Sequence, residues 1–225
     1  MIRFPQETPE YRAARDRLLE SERALRDQVE RVAEQRRALP LGGRVKQDYT
    51  FEAASGPVPM ASLFSRHDTL MLYNFMFGPD ADRPCPMCSS FIDGLNAMAP
   101  ALSERLELAV VAKSPIERIQ KVARERGWDR LRLLSSGGNT YNADYFGEAC
   151  DGRPGQMPML NVFVRRNSTI HHYWGTELLY AEGEGEPRHL DLAWPLWNLL
   201  DMTPDGRGND WYPSLSYPGT SVRVE

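Results

Sequence analysis

Thr69-Leu-Met-Leu-Tyr-Asn-Phe-Met-Phe77-Gly-Pro79, followed after a polar loop by Cys85-Pro-Met-Cys88, decides how this chain folds. The run is almost continuously apolar, the pattern of a strand covered on both faces of a sheet, and Gly78-Pro79 stops it. Asp80 to Pro84 then delivers Cys85. From Met87 to Ser103 the residues Phe91, Leu95, Met98 and Leu102 recur at helical spacing. The cysteines therefore stand where a buried strand turns into a helix.

Working outward, Leu106 to Ala112 reads as a second buried strand. Pro115 to Gly127 reads as an amphipathic helix with Ile116, Ile119 and Val122 inward, and Leu131 to Ser135 as a third strand. Ser136 to Phe146 is a polar loop with one turn of helix. Met159 to Arg165 and Thr169 to Trp174, joined by Arg166-Asn167-Ser168, form an antiparallel hairpin. Leu190 to Asp201 is a last helix broken or bent at Pro195, followed by an irregular tail. Upstream, Lys46 to Phe51 and Val58 to Met60, separated by Ala-Ala-Ser-Gly-Pro, read as a hairpin. Pro9 to Ala38 is a long helix with Thr8 as its cap and an apolar stripe of Tyr11, Ala14, Leu18, Leu25, Val29 and Val32. Two readings of it stay open: a dimerisation or partner helix, or an arm lying on its own domain. The expected division is a helical arm over 1–43, an α/β domain over 44–204 and a tail over 205–225. The order of elements gives an α/β mixed central sheet with helices on both faces, for which the thioredoxin-like fold is the candidate.

Composition bounds the function. The chain has 225 residues, 41% of them apolar, and 27 Lys and Arg against 31 Asp and Glu, a formal charge of −4. A near-balanced charge without a basic run argues against a nucleic-acid or polybasic membrane-surface partner. No stretch approaches the roughly 18 apolar residues of a spanning helix, and the first residues lack the apolar segment of an export signal, so a cytoplasmic location is expected. Three cysteines do not make a disulfide scaffold. In a reducing compartment Cys85-x-x-Cys88 reads as redox or metal chemistry.

Redox chemistry has a physical basis here. Side chains three apart on a helix lie roughly 5–6 Å apart, inside the window an unstrained disulfide needs. Cys85, just ahead of the helix, meets unpaired backbone N–H groups and the positive dipole end, which stabilise a thiolate. Cys85 is thus the expected nucleophile, and Cys88, one turn further in, the resolving thiol that attacks the mixed disulfide. Pro86 suits the first helical position and, with Met87, flanks the thiols as candidate substrate-binding residues. Met157-Pro158, just before an apolar strand, is the second element. In thioredoxin-like proteins a cis-proline at this place lies beside the dithiol and offers the preceding backbone, here that of Met157, to the substrate.

Other candidates are weaker. His171-His172 could complete a zinc site with the two cysteines, but neighbouring strand residues face opposite ways, so no metal is assigned. Cys150 lies in a loop, either as a small residue or as a third redox cysteine. Asp80 and Asp82 are candidate proton acceptors or simply solvated. Trp174, Trp194, Trp197 and Trp211 are expected as core or interface aromatics, their clustering suggesting a C-terminal segment that covers the sheet.

Phe75-Met-Phe-Gly-Pro79, Cys85-Pro-Met-Cys88, Ser135-Ser136 with Asn139-Thr-Tyr-Asn-Ala-Asp144, and Leu200-Asp-Met-Thr-Pro-Asp-Gly-Arg207 together resemble a bacterial thioredoxin-like family, domain of unknown function eight-nine-nine, described as predicted dithiol-disulfide oxidoreductases. The resemblance covers most of the chain, the helical arm included. It implies the fold and a redox dithiol without a substrate or cofactor. Peroxiredoxins share the fold, and their Pro-x-x-x-Thr/Ser-x-x-Cys pattern is absent: counting back from Cys85 the hydroxyl place is Asp82 and the proline place Gly78, and from Cys88 they are Cys85 and Ala81. The leading expectation is a thiol-disulfide oxidoreductase acting on a thiol or disulfide substrate or a redox partner protein. A peroxiredoxin-like peroxidase, a non-catalytic binding module with or without zinc, and a homodimer through the helical arm remain the alternatives.

Overall fold

The computed structural model describes residues 2–149, 155–183, 188–208 and 211–217; Cys150 lies outside them. Met1–Pro40 and Leu41–Glu225 are two separate units. The first is helix α1 (Pro9–Arg37), whose Thr8 hydroxyl oxygen accepts from the Tyr11 N–H at 3.2 Å while Arg36 and Arg37 occupy the last turn. The side-chain cap and C-terminal cations oppose the unpaired groups and dipole at each end. Among the described residues no helix is long and apolar enough to cross a membrane.

The second unit is built on a seven-stranded sheet. Its strands are β1 (Thr50–Ala53), β2 (Gly56–Pro59), β3 (Thr69–Asn74), β4 (Glu107–Ala112), β5 (Arg132–Ser135), β6 (Leu160–Arg166) and β7 (Thr169–Gly175), in the spatial order β2-β1-β5-β4-β3-β6-β7. β3, β4 and β5 run parallel, joined through α2 (Pro86–Leu102) and α3 (Ile116–Arg126). The β6-β7 hairpin adds antiparallel to β3, and the β1-β2 hairpin adds antiparallel to β5. Asn167 and Ser168 both take positive φ in the β6-β7 turn, the backbone that matches strand twist in a two-residue hairpin.

β3 shows why its sequence is apolar throughout. Leu70 and Leu72 enter one core with Met60, Leu63, Val111 and Phe163, whereas Met71, Tyr73 and Phe75 meet the other, with Phe91, Ile92, Ile119 and Val122. Alternation with period two delivers apolar groups to both faces, each buried Leu or Phe contributing about 1.5–3 kcal/mol. α2, α3 and α5 (Pro195–Leu200) pack on the Tyr73 face; α4 (Tyr141–Asp144) and a 3-10 turn (Met60–Leu63) cover the Leu72 face. The result is the α/β thioredoxin-like architecture: a mixed sheet, a cysteine pair after a central strand, and an antiparallel hairpin beside that strand.

Three expected boundaries shift. Ala53 and Gly56 pair across the first hairpin, so the segment expected to separate its strands forms strand and leaves a two-residue turn. β3 stops at Asn74, because the Phe77 N–H turns back to the Phe75 carbonyl at 2.7 Å and the chain leaves the sheet. The last helix starts at Pro195, not Leu190; a proline fits the first turn, where its missing N–H costs nothing, and so opens the helix instead of bending it.

Candidate active site

The loop after β3 is pinned at several points. The Phe75 N–H donates to Val111 O at 2.8 Å, the Ser114 N–H to Phe77 O at 2.9 Å, and the Cys85 N–H returns to Met76 O at 3.1 Å. Arg118 on α3 donates to the carbonyls of Pro79 and Ala81 and lies over the Phe77 ring at 4.7 Å. These bonds hold an irregular segment with its backbone groups satisfied and set Cys85 at the mouth of α2.

Cys85 is the N-cap of α2, and its sulfur accepts the Cys88 N–H at 3.5 Å. Its carbonyl accepts both the Ser89 N–H at 3.0 Å and the Ser89 hydroxyl at 2.9 Å. Both thiols are free; Cys85 is half-buried and Cys88 buried. The Cys88 thiol donates to the Cys85 sulfur, and this bond, aided by the Cys88 and Met87 backbone N–H groups and opposed by partial burial, lowers the Cys85 pKa from 9.0 to about 6. Burial, reinforced by the neighbouring Cys85 sulfur, pushes Cys88 well above its ordinary value. The two thiols therefore differ in kind: one ionised at neutral pH, the other a proton donor beside it.

Beneath Cys88 lies Tyr73, completely buried on β3. Burial first, and then the Cys88 thiol, raise its pKa well above the ordinary value. The Tyr73 hydroxyl has no hydrogen-bond partner of good geometry among the described residues. The hydroxyl interacts with the Cys88 thiol, working against burial to lower the Cys88 pKa, so a polar group faces the resolving thiol from below.

A cavity of about 440 Å³ opens on the dithiol. Of the six site residues expected from the sequence, Cys85, Met87, Cys88 and Pro158 line it; Pro86 and Met157 do not. The Met157-Pro158 bond is trans, since no peptide bond among the described residues is cis, and this corrects the cis reading. Trans is the favoured isomer by about 0.5–1 kcal/mol and nothing in the approach to β6 demands the other. The Met157 N–H donates to Gly147 O at 2.9 Å and its carbonyl accepts from the Met159 N–H at 3.2 Å, so that backbone already has partners. The Pro158 carbonyl is held by His189 Nε2 at 3.1 Å.

His171 and His172 lie away from the thiols. His171 Nδ1 contacts Gly42 O at 3.0 Å, and His172 Nε2 contacts Asn161 Oδ1 at 3.0 Å while its ring stacks on Tyr145. Neither lines the cavity, nor do Asp80 and Asp82. Trp194 and Trp197 are core residues, packed edge-to-face with centroids 5.1 Å apart, and Trp211 adds to Trp197 at 5.9 Å.

Sequence reading missed the far wall. Arg188, His189, Asp191, Arg207 and Tyr212 line the cavity with Trp194, Trp197 and Trp211. Arg188 bonds Asp191 and, at 2.8 Å, Asp201; Arg207 bonds Asp191 at 2.7 Å and Asp201 at 2.9 Å. The segment expected as an irregular tail is thus braced onto the site. The one signal for it was the Leu200-to-Arg207 string, which carries two of the four charged partners.

Comparison with known proteins follows the geometry. No curated protein matches the chain. Solved structures of similar shape include peroxidoxin BcpB from Mycobacterium tuberculosis, at 18% identity over 69% of this chain and 94% of that one, with a TM-score of 0.47. A peroxiredoxin Q from Xanthomonas campestris matches at 13% identity, 61% and 85% coverage and a TM-score of 0.45. Reduced Prx3 from Vibrio vulnificus, in complex with hydrogen peroxide, matches at 15%, 66% and 92%, and 0.44. At such scores no activity or substrate is transferred. Over residues 2–220 the chain matches the model of the family described as Bacterial protein of unknown function (DUF899), and it belongs to that family.

Proposed function

We propose that the protein is a thiol-disulfide oxidoreductase using Cys85 and Cys88. The observation that carries this reading is the asymmetry of the pair: a half-buried N-cap cysteine with its pKa lowered to about 6, hydrogen-bonded by a buried cysteine whose pKa is raised. The Cys85 thiolate attacks one sulfur of a disulfide RS–SR, forming Cys85–S–S–R and releasing RS⁻. Cys88 then gives up its proton to a leaving thiolate and attacks the Cys85 sulfur, releasing the second RS⁻ and leaving the Cys85–Cys88 disulfide. Two electrons and the one proton of Cys88 pass from the thiolate–thiol pair to the substrate, giving RSH and RS⁻, and the second RS⁻ takes a proton from water as its own pKa dictates; run backwards, the same steps oxidise two thiols.

The raised pKa of Cys88 suits this order. It stays protonated, stabilising the Cys85 thiolate, until Cys85 is capped by substrate and the demand for a donor ends. Disulfide substrates are preferred over peroxides because Asp82 and Gly78 replace the hydroxyl and proline of the peroxidatic pattern. The test is trapping: Cys88→Ser should accumulate a stable mixed disulfide on Cys85, whereas Cys85→Ser should form none. Equal exchange rates in wild type and Cys85→Ser would sink the proposal.

A further inference from the structure

The dithiol cavity also carries information about what enters it. We infer that its substrate is a small, uncharged, aromatic or apolar disulfide, not a protein disulfide and not an anionic one. This rests on the dithiol reading above and adds the chemical class.

Size comes first. A volume of about 440 Å³ lies in the range of about 300–1,000 Å³ typical of small-molecule sites. Cys85 is half-buried within it. A disulfide inside a folded protein brings two backbone segments to the reacting sulfur, and the Met157 backbone that could pair with such a segment is already hydrogen-bonded.

Charge comes second. The charged side chains on the wall are Arg188, Asp191 and Arg207, cross-braced with Asp201 into a lattice of two cations and two anions. Each guanidinium meets two carboxylates, so the two cations and two anions cancel and the wall carries no net positive charge to draw in a substrate carboxylate. Arg207 also lies over the Trp197 ring at 5.2 Å. His189 is kept neutral by burial. The remaining charge is the Cys85 thiolate, which repels anions.

Surface comes third. Met76, Met87, Leu190, Trp194, Trp197 and Trp211 present thioether, aliphatic and indole surface. Trp211, 46% exposed, sits at the rim where a flat ligand would meet it. In-line exchange needs the leaving sulfur directed away from Cys85, and a leaving aromatic thiolate that carries no second charge is best accommodated against such apolar surface.

The experiment uses the reduced full chain and three probes. Second-order rate constants are measured with dipyridyl disulfide, which is neutral and aromatic, and with dithiobis(nitrobenzoate), which carries two carboxylates, each divided by the rate of N-acetylcysteine with the same probe. Insulin, with dithiothreitol as electron donor, reports on protein disulfides. The normalised ratio should favour the neutral probe by about tenfold, and insulin should be reduced no faster than by dithiothreitol alone. Asp191→Asn uncovers cationic charge on the wall and should move the ratio toward the dianion by about threefold or more. Trp211→Leu, at a half-exposed position, should slow the neutral probe selectively. A ratio of one or below, or rapid insulin reduction, overturns the inference and leaves the oxidoreductase reading standing; no reaction of Cys85 with any disulfide overturns both.

Discussion

Removing the Cys88 thiol should move the titration of a different atom, the Cys85 sulfur. The bond from the Cys88 side chain is the largest cause of the lowered Cys85 pKa, ahead of the backbone N–H groups of Cys88 and Met87. With a pKa of about 6, roughly 90% of Cys85 is thiolate at pH 7, against about 1% for a thiol at 9.0. That is about ninetyfold in thiolate, offset by about twentyfold lower nucleophilicity for a thousandfold stronger acid, so Cys85 should react about fivefold faster than an ordinary thiol at pH 7. Iodoacetamide alkylation and ultraviolet thiolate absorbance, followed from about pH 4 to 10, measure both quantities. Wild type should show a midpoint near 6. Cys88→Ala should raise it toward the ordinary value, leaving partial burial and the two backbone donors to act in opposite senses, while Cys88→Ser keeps a donor and stays closer to wild type. A wild-type midpoint near 9, or the same midpoint in Cys88→Ala, refutes the reasoning.

Further outcomes follow from the same structure. Because the folded Cys85 pKa is lowered, the unfolded chain binds a proton that the folded chain lacks between about pH 6 and 9. Reduced wild type should therefore gain thermal stability relative to Cys85→Ser as pH rises through that window, and the gain should vanish below about 6; a constant difference contradicts it. The buried Glu107 carboxylate accepts from Arg66 N–H at 2.6 Å, Ser65 hydroxyl at 2.9 Å and His67 N–H at 3.1 Å, and these outweigh burial to lower its pKa. Glu107→Gln should cost about 1.5–3 kcal/mol in urea unfolding at pH 7, shrinking as pH falls below the ordinary carboxylate range. A Cβ on Gly42 would stand 2.2 Å from the His172 carbonyl oxygen, backbone that cannot step aside. Gly42→Ala should lose about 1–3 kcal/mol by the same measurement, and a neutral result would mean that the 42–45 segment leaves β7 freely. Arg118→Ala releases the Pro79 and Ala81 carbonyls and should slow Cys85 alkylation and raise its pKa while leaving far-ultraviolet dichroism intact; an unchanged pH profile would show that the loop positions itself without Arg118.

Much of the fold was legible because its signals are local. The two-faced burial of β3 produces an uninterrupted apolar run, Gly127 with φ of 71° closes α3 where the sequence has its stop, and Asn167-Ser168 supply the turn of the last hairpin. Cys85 and Cys88 were legible because helix geometry alone sets their separation and their unequal environments. What was hidden depends mostly on contacts distant in sequence. The Ala-Ala-Ser-Gly-Pro segment reads as a breaker, yet Ala53 pairs with Gly56 and Pro57 with Glu52, so most of it continues as strand. The trans state of Met157-Pro158 depends on where the neighbouring chain runs. Arg188, Asp191, Asp201 and Arg207 look like ordinary solvated charges, and only the folded chain brings them together over the dithiol. Tyr73 is apolar in the sequence pattern, and nothing local says that its hydroxyl lies against the Cys88 thiol.

The central claim is that Cys85 and Cys88 form a reversible redox couple. A glutathione redox titration, quenched by thiol alkylation and read by mass on wild type and Cys88→Ser, tests it most directly. The account predicts a single two-electron transition, with loss of two hydrogens and of two alkylation sites at Cys85 and Cys88, that disappears in Cys88→Ser. Two thiols that stay reduced and independently alkylated across the whole range of glutathione ratios would contradict it.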